Sequence, residues 1–172
     1  MQMNKMLLII ILVFISSCQQ KSDKLEMITV AIGYCPGGCV SSATEITLHT
    51  YHYYEGNNST KPGYYEGKLP ASDWDRISAE VDKIDINSLH TEDTPVADDT
   101  WIEVLIKSEG RITHLKSVTY KKMPAKLMKV INLVLGTSKK VKLTKSDESY
   151  PFKTTYQQTN IVVKPKFAPV NR

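Results

Sequence analysis

Ten apolar residues in a row, Met6 to Ile15, open the chain, and spaced patterns follow. Ile28 to Tyr34 (ITVAIGY) is rich in β-branched residues and predicts a strand. Thr44 to Tyr54 (TEITLHTYHYY) predicts a second strand, and Gly63 to Leu69 (GYYEGKL) a third. Between them, EGNNSTKPG (55–63) has the Gly, Asn and Pro content of a turn. From Ser72 the period changes. Trp74, Ile77, Val81 and Ile84 recur at helical spacing, with Ser72 and Asp75 placed as a capping box and an end near Asp85. A polar stretch, HTEDTPVADD, comes next. Trp101 to Ile106 and Ile112 to Tyr120 flank Ser-Glu-Gly-Arg, a hairpin signal that puts Gly110 at positive φ. Pro124 suits the first turn of a second helix. Leu127, Val130, Ile131 and Val134 form its apolar stripe, and Gly136 suits its C-terminal cap. Val141 to Leu143 predicts a short edge strand.

The expected order is β-β-β-α-β-β-α. Hairpins with interspersed helices predict an α+β fold, an antiparallel sheet with two helices packed on one face. The domain is expected over 28–143. Residues 144–172, with Pro151, Pro165 and Pro169, read as a basic, mostly irregular tail with a short strand at Ile161–Val163.

The opening run has a different meaning. Lys5, the short apolar core and small Ser16 and Ser17 make a secretory signal over 1–17. The run is shorter than the roughly 20 residues that span a bilayer. Ile15-Ser16-Ser17-Cys18 resembles the lipobox of bacterial lipoproteins. That resemblance implies cleavage before Cys18 and a diacylglycerol on its sulfur. Residues 18–27 would then be the lipidated cysteine and a tether. Gln19, in place of the Asp that often retains such proteins at the inner membrane, leans toward the outer membrane.

Lipidation changes the reading of the three cysteines, because it leaves Cys35 and Cys39 as a pair. In an oxidising compartment paired cysteines usually bridge. Pro36-Gly37 fits a type II turn, which brings Cys35 near Cys39. A disulfide staple is the favoured reading. A copper site would need His49, His52, His90 or His114 as a further ligand, and soft sulfur suits Cu(I). A redox role would need a depressed thiol pKa, and no Lys or Arg is near in sequence.

The whole chain carries +4. Cys18 to Ser138 holds 13 basic and 16 acidic residues, whereas Lys139 to Arg172 holds 8 and 2. The basic end could touch anionic headgroups or cell-wall polymer, although a solvated tail is the plainer reading. Tyr53, Tyr54, Tyr64 and Tyr65 cluster on two neighbouring predicted strands. They are the candidate contact set for a protein or glycan, set against ordinary cross-strand pairing. His49 and His52, three apart on one strand, should face opposite sides and make poor joint ligands. Glu92, Asp93, Asp98 and Asp99 form an acidic loop whose spacing fits no calcium pattern. Asn57 to Thr60 contains N-x-S/T patterns, read in a bacterial protein only as loop. No phosphate loop, nucleophile elbow or zinc-protease helix is present, and no nucleic-acid partner is expected.

Cys35-x-Gly37-x-Cys39, the Gly63-Tyr64-Tyr65-Glu66-Gly67 strand and Asp98-Asp99 together resemble the domain-of-unknown-function family numbered sixty-four thirty-eight. Val40 stands where that family has Pro. The resemblance covers about 28–140 and implies the α+β fold but no activity. The expectation is a lipid-anchored envelope protein that acts as a non-enzymatic binding or structural module without cofactor or metal. An inhibitor or immunity-like module against an envelope hydrolase, and a copper or thiol-redox protein using Cys35 and Cys39, are the alternatives.

Overall fold

The computed structural model describes residues 24–33, 41–56, 59–89, 100–117 and 122–154. Residues 1–17, expected to be a signal segment, and Cys18, Cys35, Cys39, His90, the acidic loop and Ile161–Val163 lie outside the described residues.

Seven strands form one antiparallel sheet: β1 (Leu25–Ile32), β2 (Ser42–Thr47), β3 (Tyr51–Glu55), β4 (Gly63–Gly67), β5 (Ile102–Ser108), β6 (Arg111–Ser117) and β7 (Thr144–Ser146). Helix α1 (Ala71–Val81) and a 3-10 turn (Ile86–Ser88) separate β4 from β5, and α2 (Ala125–Thr137) follows β6. The strands lie in the order β6-β5-β1-β2-β3-β4-β7. The α+β class and the antiparallel sheet are therefore as expected, but the element order is not. Four strands precede α1 instead of three, and a seventh closes the edge.

The extra strand comes from Thr44–Tyr54, which bends back on itself at Leu48-His49. Thr47 makes the bend. Its backbone N–H donates to the Thr50 carbonyl at 3.0 Å. Its hydroxyl accepts from the backbone N–H of Thr50 at 2.9 Å and of His49 at 3.2 Å. A threonine side chain thus supplies the turn that Gly or Asn usually provides. The β5–β6 hairpin matches expectation more closely. Glu109 and Gly110 have φ of 50° and 75°, the two positive values of a type I′ turn.

The helix ends also differ. α1 starts after Pro70, not at Ser72, and no side chain caps it. The Pro70 carbonyl accepts from the backbone N–H of Asp73 and Trp74. Asp73 sits in the first turn, where the helix dipole favours a carboxylate. It also pairs with Arg76 and with Lys140, each at 3.3 Å. α1 stops at Val81, and Asp85 instead caps the 3-10 turn by accepting from Asn87 N–H at 3.2 Å. Pro124 takes the N-cap position of α2, and the helix runs through Gly136 to Thr137, with Ser138 as its C-cap. The edge strand falls at 144–146, not 141–143. Gly67 explains the shift. A Cβ there would lie 2.5 Å from Val141 Cγ1 and 3.0 Å from the Lys142 carbonyl oxygen, so this segment packs flat against a glycine before pairing begins.

Strand alternation divides the sheet into two faces. On one, Ile28, Val30, Ile46, Tyr51, Ile102, Val104 and Ile106 join Trp74, Ile77 and Val81 of α1 and Leu127, Val130, Ile131 and Val134 of α2 in one buried cluster. The helices pack chiefly on each other, and α2 also meets β1 and β2. Thr137 Oγ1 donates to the Tyr51 hydroxyl at 3.0 Å, fixing the end of α2 to β3. No helix among the described residues is long and apolar enough to cross a membrane.

Candidate functional site

Among the described residues the opposite face carries no helix, and the chain covers part of it in another way. Ala31 and Ala43 are directly paired across β1 and β2. Their small side chains leave a depression, and Phe152 fills it. Tyr54, Tyr64 and Tyr150 pack around that contact. Tyr150 meets Phe152 edge-on at 4.9 Å and stacks on His52 at 3.7 Å, nearly parallel. Thr154 is buried as well. So the chain beyond Leu143, read from sequence as a tail, belongs to the fold through Thr154. Residues 155–172 lie outside the description.

Two carboxylates are sunk into this face. Glu45 and Glu103 are 4% and 2% exposed. Burying a carboxylate is costly unless it is hydrogen-bonded. Glu45 accepts from Thr29 Oγ1 at 3.0 Å and from the Tyr150 hydroxyl. His114 Nε2 lies 2.5 Å from Glu103 Oε1. In register, His114, Leu105, Thr29, Glu45 and His52 form one cross-strand row, and Lys116, Glu103, Ala31, Ala43, Tyr54 and Tyr64 form the next. The carboxylates therefore occupy adjacent rows on either side of β1. Lys116 also sits over the Trp101 ring, 4.8 Å from its centroid.

The four candidate tyrosines do not share this face. Tyr53 and Tyr65, 6.0 Å apart, lie on the helix side, with Tyr53 against the main cluster. Tyr54 and Tyr64, 5.0 Å apart, lie on the open side. Period-two alternation splits the set into two cross-strand pairs. The histidines also part: His49 is exposed in the turn, whereas His52 is half-buried under Tyr150. Glu45, Glu103 and Tyr150 were missed from sequence. The one available signal was Glu103 within the apolar run of β5, and Glu45 sits in a strand rich in Ser and Thr that gives none.

The electrostatics of the tyrosines set an alkaline limit on stability. Burial, followed by the charge of Glu55 and by Tyr51 and Tyr65, pushes the Tyr53 hydroxyl up to about 12. Burial raises Tyr51 and, with the Glu45 contact, Tyr150. Each folded value lies above the unfolded value of about 10. Their contribution is complete below about pH 10 and is lost as pH rises through the folded values. Stability should fall between about pH 10 and 12 in denaturant titrations. Tyr150→Phe should flatten that fall and, by removing one partner of buried Glu45, cost about 1–2 kcal/mol at neutral pH.

Elsewhere, a cavity of about 350 Å³ opens between the end of α1 and the β5–β6 hairpin, lined by Lys24, Val81, Asp85, Asn87 and Glu109 among others. Among the described residues no group of three His, Cys, Asp or Glu side chains is placed to hold a metal ion.

An antiparallel α+β domain with two paired helices and a C-terminal strap across its open face defines the class of this protein. The chain belongs to the family described as a domain of unknown function (DUF6438), whose model matches residues 26–138. β7 and the Tyr150–Thr154 strap lie beyond the matched span. No curated protein matches the chain.

Proposed function

We propose that this is a lipid-anchored bacterial envelope protein whose domain is a non-enzymatic binding module for another envelope protein or a cell-wall polymer. Met6–Cys18 supports the anchor, by its short apolar run and its likeness to a lipobox. The binding half rests on one observation above others, the polar interior of the open face. Glu45 and Glu103 are held there by Thr29, Tyr150 and His114 at positions where apolar residues would pack more cheaply. Departures from an apolar interior of this kind concentrate at functional surfaces. The half-buried Tyr54–Tyr64 pair beside them offers an apolar body with a polar tip.

Cross-linking in intact cells and sedimentation with purified peptidoglycan test this reading. Tyr54→Ala with Tyr64→Ala should weaken capture by about tenfold or more, the loss typical of aromatic anchors. The matching pair on the other face, Tyr53→Ala with Tyr65→Ala, should leave capture by the folded fraction unchanged. Equal capture by wild type and the Tyr54/Tyr64 variant would remove the open face from the account. A stoichiometric hydrolase in the cross-linked product would make the module an inhibitor.

A further inference from the structure

Three large apolar side chains stand exposed among the described residues: Leu48 at 47%, Ile112 at 50% and Trp101 at 37%. Two of the three share one end of the sheet. β1 begins at that end with Leu25, which is paired with Ser108 beside the β5–β6 turn. β2 ends there at Thr47, opposite Met27, and leads directly into Leu48. Ile112 is opposite Lys107, one position from the same end of β5. Strands are spaced about 4.8 Å apart, so the Leu48 turn lies about 5 Å to one side of β1 and β6 about 10 Å to the other. Lys24, the residue that enters β1, lies between them.

The chain length outside this end fixes what can lie near it. Lys24 is six residue steps from Cys18, so whatever its conformation that stretch reaches ~20 Å at most. β1 itself is eight residues long, about 26 Å. An anchor on Cys18 therefore keeps the Leu48–Ile112 end near the lipid surface, and the Trp101 end can recede by a strand length. The charges agree. Lys68 and Arg111 are exposed at this end and have no ion pair among the described residues. Lys24 reaches Glu109 only at 3.7 Å, with both side chains exposed. Cations flanking exposed apolar residues suit an anionic headgroup layer.

Resting on the lipid anchor proposed above, we infer that the rim formed by Leu48, Ile112, Lys24, Lys68 and Arg111 docks onto the bilayer surface. The anchor and the rim together then set the domain upright, with the strap-bearing face exposed to the side. The single lipid attachment becomes an oriented mount.

The lipidated full chain in phosphatidylcholine vesicles, with and without phosphatidylglycerol, tests this by hydrogen exchange. Amides of 47–50 and 109–113 should slow by about tenfold relative to the same protein in detergent, more so with the anionic lipid, while 100–102 stays unchanged. Leu48→Glu with Ile112→Glu alters exposed positions only and should abolish that protection while the protein still floats with the vesicles. Wild type that fails to float defeats the anchor itself. Wild type that floats without protection of the rim, or with protection at 100–102 instead, overturns the docking. Rim protection in detergent that grows with protein concentration would assign the surface to a second copy, and also overturns it.

Discussion

Phe152→Ala should destabilise the domain by about 3 kcal/mol, the usual range for emptying a buried aromatic site being about 3–5. Phe152 is 5% exposed and fills the depression above Ala31 and Ala43. Neither alanine can collapse into the space it leaves. The loss also removes the edge-on contact that holds Tyr150 over His52 and Glu45. Urea titration should show a lower midpoint with an unchanged slope, because the surface exposed on unfolding hardly changes. A domain stability of about 5–15 kcal/mol makes this a large fraction of the total. An unchanged midpoint would return 147–154 to the status of a tail.

Trp74→Ala should do at least as much, about 3–5 kcal/mol. Trp74 is 1% exposed and anchors the first turn of α1 in the cluster shared by both helices and the sheet. α1 has no side-chain cap, so this burial and the Pro70 carbonyl bonds hold its start. A second substitution sharpens the test. The indole Nε1 is buried without a hydrogen-bond partner among the described residues. Trp74→Phe keeps most of the apolar contact and removes that orphan donor, so it should cost less than about 1.5 kcal/mol. Comparable losses for both variants would contradict this, because Phe would then recover none of the apolar contact.

Periodic burial was legible in the sequence, and chain reversals made by side chains were not. The stripes of Trp74–Val81 and Leu127–Val134 give both helices, and Gly110 gives the β5–β6 hairpin. The β2–β3 hairpin has no such mark. Leu48-His49 contains neither Gly nor Asn, and the Thr47 hydroxyl that closes the turn is indistinguishable in sequence from a strand threonine. Pairing tyrosines by proximity in sequence overlooked alternation, which sends Tyr53 and Tyr54 to opposite faces. The strap escaped notice for a different reason. Tyr150 and Phe152 are two aromatics in a proline-containing stretch without period, and only the alanine pair on β1 and β2 shows where they go. Glu45 follows the same logic: a carboxylate inside a strand reads as solvent-facing until the segment that covers it is known.

The most direct test of the account is the intact mass of the chain recovered from bacterial membranes after expression of the full sequence. The predicted result is a chain that begins at Cys18 and carries diacylglycerol on that residue. Alkylation before and after reduction would show in the same spectrum whether Cys35 and Cys39 are bridged. An unprocessed chain beginning at Met1, or a mature chain with an unmodified Cys18, would contradict the lipid anchor and with it the docking of the rim.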